Sequence, residues 1–225
     1  MKFKKLFLLL LPFNFLLSEI PAYSAKYNFE SDEISITGIR EYKKTSNGDE
    51  IKFEASNLFA SLFFSSKFKI NKNVVVPNTY DIKIRPKFLN RDQSIKFNYE
   101  DNIINSIGVN NWETSLSENN IFDPLNVQIM IRNSVKNGLK DFNLNIVDME
   151  NGGYKTYSFR LVNNEECEFS KKKYNCYVIE RTQENSKRKV VYYLAEGLEF
   201  MFLKIIDSSP ERINKLELRE ILSFG

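Results

Sequence analysis

Two cysteines, a few adjacent carboxylates and no histidine set the chemistry open to this 225-residue chain. Without histidine it lacks the commonest general base, the commonest metal ligand and the usual serine or cysteine hydrolase machinery. Two thiols are also too few for a four-thiolate metal site. Acid pairs remain, Glu100 with Asp101 and Glu165 with Glu166. Neighbouring residues of a strand point to opposite faces, so neither pair converges on one substrate. There is no Asp-x-Asp-x-Asp loop with a distal Glu for calcium, and Gly152-Gly153 reads as a hairpin turn rather than a phosphate loop. The expectation is a non-enzymatic protein with no cofactor and no metal.

Cys167 and Cys176 bracket the segment EFSKKKYN. If it folds back about Lys171-Lys172, Cys167 falls opposite Cys176 and Phe169 opposite Tyr174, within disulfide reach. The flanks Tyr157 to Val162 and Tyr177 to Glu180 are rich in strand formers. Redox-active dithiols sit in Cys-x-x-Cys turns at helix starts, which this spacing does not resemble. A structural crosslink between Cys167 and Cys176 is therefore expected, in an oxidising compartment.

Such a compartment agrees with the front of the chain. Residues 1–24 combine Lys2, Lys4 and Lys5, an apolar run from Leu6 to Leu17, and small residues at Ala22 and Ser24. This pattern predicts a signal peptide cut before Ala25, leaving 25–225 as a single domain in the periplasm. The apolar run is shorter than the roughly 20 residues that a membrane-spanning helix needs. The whole chain has 32 basic and 29 acidic side chains; removing Lys2, Lys4, Lys5 and Glu19 leaves 29 against 28. A nucleic-acid partner would call for a strong basic excess, so none is expected. Lys171-Lys172-Lys173 and Lys187-Arg188-Lys189 read as solvated loop tips.

The elements that must position any site are mostly strands. Lys26 to Lys44 reads as strand, with Ile34, Ile36 and Ile39 on an inward pattern, and Asn47-Gly48-Asp49 turns it into Ile51 to Ser56. Leu58 to Phe64 (LFASLFF) is a dense apolar patch. Val74 to Val76 stops at Pro77, which suggests an edge or strand end. Tyr80 to Arg85 and Ser94 to Glu100 alternate cleanly, whereas Asp101 to Asn120 reads as a long connection that docks through Trp112. One helix is expected, with Asp123 as N-cap, Pro124 in the first turn, and Val127, Met130, Ile131 and Val135 on one apolar stripe widened by Leu125 and Ile129. Gly138 is its natural stop. Asn151-Gly152-Gly153 joins Phe142–Met149 to Tyr154–Val162, and strands at 190–194, 202–207 and 212–222 follow. The fold class is α+β: a curved, predominantly antiparallel sheet of about ten strands packed on one main helix.

The order of these features resembles an exported bacterial family, the domain of unknown function 3108. The likeness rests on Tyr27 to Glu30, Pro77-Asn78-Thr79-Tyr80, Phe97-Asn98-Tyr99-Glu100 and, above all, Phe122-Asp123-Pro124-Leu125 at the helix start. Tyr192 to Leu203 and Arg212-Ile213 to Leu222 complete it. The resemblance implies an envelope protein without a catalytic signature. It also implies an architecture similar to the periplasmic lipoprotein carriers, in which a curved sheet wraps helices over an apolar cavity. This chain departs from those carriers in having one convincing helix. The candidate pocket for a lipid or other apolar ligand is the stripe Val127, Met130 and Ile131 against the concave sheet, with Leu58, Leu62 and Phe63 as a flap. A packed core is the competing reading of that stripe. The alternative function is assembly with an envelope protein through LFASLFF or a strand edge near Val74 to Val76.

Overall fold

The computed structural model describes residues 19–32, 34–85, 91–116 and 120–225; the basic start and apolar run of the expected signal fall outside them. The first half of the described chain is a run of hairpins: β1 (Tyr23–Glu30), β2 (Ser35–Thr45), β3 (Gly48–Ser56), β4 (Ser61–Asn71) and β5 (Val74–Arg85). β6 (Gln93–Asn98), β7 (Ile103–Gly108), β8 (Trp112–Ser115) and the short β9 (Ile121–Phe122) follow. After the helix α1 (Val127–Lys136) come β10 (Asp141–Val147), β11 (Tyr154–Phe169), β12 (Lys172–Thr182) and β13 (Lys189–Ala195). β14 (Met201–Ser208) and β15 (Ile213–Phe224) close the chain.

All fifteen strands belong to one sheet, in the order β8-β7-β6-β5-β4-β3-β2-β1-β15-β14-β13-β12-β11-β10-β9. Two meanders meet in the middle, where β1 pairs with both β2 and β15. Pairing is antiparallel throughout except between β9 and β10. The sheet rolls until its two edges approach. Trp112 on β8 donates its indole N–H to the Met149 carbonyl at 3.2 Å, and Gln93 on β6 donates to the same oxygen at 2.7 Å. Met149 belongs to the turn after β10, beside the opposite edge. Trp112 therefore docks as expected, from a strand and against a turn in which Gly152 leaves room for its ring.

The roll encloses α1. No residue from 121 to 136 is exposed, so the helix is walled on every side rather than laid on one face. Its apolar residues Val127, Ile129, Ile131 and Val135 join a single core with Tyr23, Tyr27, Ile51, Ile95, Ile179 and Phe202. Burial on this scale is the main stabilising term of the fold, at roughly 25 cal/mol per Å² of apolar area.

Several expectations need correction. The described residues are mostly β, with fifteen strands among them rather than about ten. The stretch 101–120 holds β7 and β8, whose short polar residues hide the alternation that Ile104 and Ser106 carry on the inner face. β5 runs through Pro77 because β6 pairs with β5 only from Thr79 onward and a bulge at Lys67–Phe68 lies opposite, so no ladder needs the missing N–H. Helix α1 begins after Asn126 instead of Asp123. The Asp123 carboxylate accepts from the backbone N–H groups of Leu125 and Asn126 at 2.8 and 2.9 Å, making a turn of its own ahead of the helix. The stop at Gly138 stands: its φ is +79°, and Leu139 N–H returns to the Ser134 carbonyl.

Cys167 and Cys176 are bonded, with Cα atoms 5.8 Å apart. Their register is diagonal rather than directly opposite, with Cys167 facing Tyr174 and Cys176 facing Glu165. Ser170 and Lys171 both adopt positive φ and form a two-residue turn, one residue earlier than expected. Cys167 and Cys176 nonetheless share one face, which lets the sulfurs meet. At the other end, the expected cut before Ala25 falls inside β1. Tyr23 pairs with Tyr42 and Phe224, and Tyr23 and Ile20 are both buried in the core.

Candidate functional site

A cavity of about 300 Å³ opens between the inner face of the sheet and the turn that leads into α1. Phe29 (β1), Phe53 (β3), Leu62 and Phe64 (β4), Ile205 (β14) and Leu216 (β15) form its apolar walls, and Pro124 and Leu125 close the helix side. Strand periodicity selects these residues. Leu62 and Phe64 share a face because they are two apart, while Phe63 between them turns away. Gly38 faces inward on β2, where an added Cβ would lie 2.7 Å from the Phe53 ring and 2.5 Å from the Glu54 carbonyl oxygen. Only glycine admits that ring. Phe29, Leu62, Phe64 and Asn214 also border an adjoining cavity of about 530 Å³, whose rim carries Arg85, Arg91 and Arg212 with Asp32 and Glu211.

The floor of the first cavity is charged. Arg40 on β2, 1% exposed, borders it beside Gln128 of α1. One terminal N–H of Arg40 donates to Gln128 Oε1 at 2.6 Å, and the guanidinium lies over the Tyr27 and Phe202 rings at 5.8 and 5.7 Å. Its Nε–H has no hydrogen-bond partner among the described residues. Gln128 is itself held, donating its amide to the Pro124 carbonyl at 3.0 Å.

A second guanidinium, Arg132, is equally buried on the far side of α1. It donates twice to the Glu199 carbonyl at 3.3 and 2.9 Å and sits over the Tyr23 ring at 5.4 Å, with its other terminal nitrogen unpaired among the described residues. Glu199 and Phe200 take positive φ to present that carbonyl, and the Glu199 carboxylate also holds Lys136. Burial lowers the Arg132 pKa; the nearby Tyr23 and Tyr27 oppose this and the charge of Arg40 adds to it. The same burial pushes the Tyr27 hydroxyl well up, and Tyr27 donates to the Phe202 carbonyl at 2.8 Å.

Asp123 stands at the mouth of the helix turn with no exposure. Ser66 and the Asn126 side chain donate to it at 2.6 and 2.5 Å. Burial raises its pKa to about 7 in spite of the hydrogen bonds from Ser66, Asn126 and Leu125. This carboxyl ties β4 to the start of α1 and so fixes where Leu125 and Gln128 point.

Of the residues expected to form a pocket, Leu62 lines the cavity. Val127 and Ile131 are packed into the core at 2% and 0% exposure, and Met130 presents its sulfur to the Val75 N–H at 3.4 Å. Phe63 lies under the Lys83 ammonium at 5.7 Å. Leu58 sits on the β3–β4 hairpin tip, 96% exposed, with Phe59 beside it at 84%. The Asn57 side chain holds that tip by accepting from the N–H groups of Phe59 and Ala60, both at 2.8 Å. The neighbouring acids serve local structure: Asp101 accepts from Asn98, Glu165 from Asn163, and Glu166 pairs with Lys173. Arg188 and Lys189 are paired with Asp207 and Glu180. Among the described residues no cluster of His, Cys, Asp or Glu could hold a metal ion, and no helix is long and apolar enough to cross a membrane.

Sequence reasoning missed Arg40 and Gln128. The signal was present in the strand period. Ile36, Gly38, Arg40 and Tyr42 are the inward residues of β2, and Ile39, expected inside, is 41% exposed.

A rolled antiparallel sheet around one buried helix, with an apolar cavity at the helix start, defines a β-barrel-like class. The chain belongs to the family described as protein of unknown function DUF3108, whose model matches residues 22–214. Among solved structures it is similar to a β-barrel-like protein of domain of unknown function DUF1849 from Brucella abortus. The TM-score is 0.62 at 8% identity, covering 92% of this chain and 99% of the other. No curated protein matches.

Proposed function

We propose that this chain is an exported, non-enzymatic envelope protein that binds the apolar part of a lipid-like ligand in the cavity beside α1. The cavity itself carries this reading: about 300 Å³ walled by Phe29, Phe53, Leu62, Phe64, Leu125 and Leu216. Ligand pockets occupy roughly 300–1,000 Å³ and are mostly apolar with a few placed polar groups, as here. Burial of ligand methylenes against such walls supplies about 0.8 kcal/mol each. Export is supported by the front of the sequence and by the bonded Cys167–Cys176 pair, which suits an oxidising compartment. The burial of Ile20 and Tyr23 in the core supports a signal cut upstream of Ile20, and Ser18 is a small residue suited to that boundary. The test is mass spectrometry on protein isolated from its own compartment. A mature start at or before Ile20 and a co-purifying lipid, lost when Leu62→Trp fills the cavity, are expected. A chain of unchanged length that carries nothing apolar would overturn the proposal.

One observation favours a second reading, docking of an envelope protein. Leu58 and Phe59 are large, apolar and presented to solvent on a turn held by Asn57. Pull-down from envelope extract should then lose a partner when both become serine.

A further inference from the structure

Arg40 and Arg132 place two positive charges around Tyr27 in the interior, and among the described residues neither is paired with a carboxylate. A buried ion without a counter-ion carries a desolvation cost of several kcal/mol, and cation–π contacts and neutral acceptors recover only part of it. Arg132 is walled in by the Glu199 turn. Arg40 instead borders the apolar cavity, with its Nε–H buried and without a partner among the described residues. Gln128 Oε1 already stands where an anionic oxygen would accept from the same guanidinium.

We propose that the cavity takes an amphiphile with a single carboxylate, whose chain lies along Phe29, Phe53, Leu62 and Phe64 and whose acid takes the place of Gln128 Oε1 as the acceptor from Arg40. This rests on the apolar-ligand reading above and adds the headgroup. One guanidinium bordering the cavity matches one carboxylate charge, whereas a phosphate monoester would bring close to two negative charges to a single buried cation. The acid that borders the cavity, Asp207, is held by Arg188 and does not compete with the ligand for Arg40.

The test is calorimetric titration of the full mature chain with dodecanoate, dodecanol and dodecyl phosphate, each below its aggregation limit. Dodecanoate should bind about 10- to 100-fold tighter than dodecanol, as expected for a hydrogen bond to a charged group in a dry site. Arg40→Met should remove that preference, and Arg40→Lys should keep part of it. Equal binding of dodecanoate and dodecanol would overturn the headgroup assignment and leave the apolar site standing. Tighter binding of dodecyl phosphate than of dodecanoate would also overturn the assignment. Failure of all three to bind would remove the apolar reading itself. The comparison of probes on the wild-type chain decides these cases even where a variant does not fold.

Discussion

Arg132, on the closed side of the interior, gives two donors to a backbone carbonyl that a left-handed turn holds in place. Arg40, on the open side, gives one donor to a side-chain amide and borders empty space. Both are equally buried. The difference lies in what surrounds them: around Arg132 the helix, the Glu199 turn and Tyr23 leave no room, while around Arg40 the walls are aromatic rings and leucines with a cavity between them. Burial of a charge thus marks a candidate site only where the packing has also been left incomplete. The closed side gives the fold its stability, and the open side is where a ligand could add contacts.

The largest effect should separate the two sides directly. Ile131→Ala on the packed face of α1 removes a fully buried side chain among rigid neighbours and should cost about 4 kcal/mol in urea unfolding. Leu125→Ala borders the cavity and has fewer contacts to lose, so about 1–2 kcal/mol is expected. Equal costs would mean that the open side is as tightly packed as the closed one.

Next in size is a pH effect at the hinge between the sides. The Asp123 pKa is raised from 3.8 to about 7, so the native state holds its proton more firmly than the unfolded chain does. Its stabilising contribution is fully present below about pH 4 and lost as pH rises through about 7, a change of about 3–4 kcal/mol between pH 4 and 8. Asp123→Asn, which copies the shape of the neutral acid, should flatten that dependence. Asp148 behaves oppositely. Burial would raise it, but Lys155, Asn151 and the N–H groups of Glu150 and Asn151 bring it down to about 2. Its contribution is present above about pH 4 and lost as pH falls through about 2. At low pH, where both acids are protonated, Asp123→Asn and Asp148→Asn should each match the wild type; as pH rises, Asp123→Asn should become more stable than the wild type and Asp148→Asn less stable.

What the sequence disclosed follows the same division. The helix, its stop at Gly138 and the crosslinked hairpin were legible because caps, glycines and cysteines act through neighbours in the chain. The family likeness was legible at Phe122-Asp123-Pro124-Leu125, although the carboxylate there makes its own turn and reaches Ser66 instead of capping the helix. Strands β7 and β8 escaped because serine and asparagine break the apolar alternation. Apart from Leu62, the pocket residues escaped for a different reason. The apolar stripe Val127, Met130 and Ile131 has the chemistry of a ligand site, but only the roll of the sheet decides which faces meet side chains and which meet a void. Arg40 was hidden by its polarity, although its parity with Ile36 and Tyr42 placed it inside.

A smaller effect is expected from the crosslink. The Cys176 side chain lies in the core, on the strand beside β13 and away from the cavity. Replacing both Cys167 and Cys176 with serine should cost about 2–3 kcal/mol by the loop-entropy estimate. Dodecanol affinity should not change. A loss of both would mean that the β11–β12 hairpin shapes the open side as well.

The smallest effect on stability is expected at the β3–β4 tip. Leu58 and Phe59 are almost fully exposed, so their exchange for serine removes little buried area and should shift stability by less than about 0.5 kcal/mol. The tip nevertheless leads straight into Leu62 and Phe64, two walls shared by both cavities, and Ala60 borders the outer one. If the tip serves only to recruit a partner, the double serine variant should bind dodecanoate as the wild type does and lose its pull-down partner. If it instead guides ligand to the mouth, the equilibrium affinity should stay the same while uptake from a lipid vesicle, followed by stopped-flow fluorescence of a labelled fatty acid, slows. A variant unchanged in partner capture and in uptake would leave the exposed leucine and phenylalanine without a role on the open side, and would confine the functional surface to the cavity that Arg40 borders.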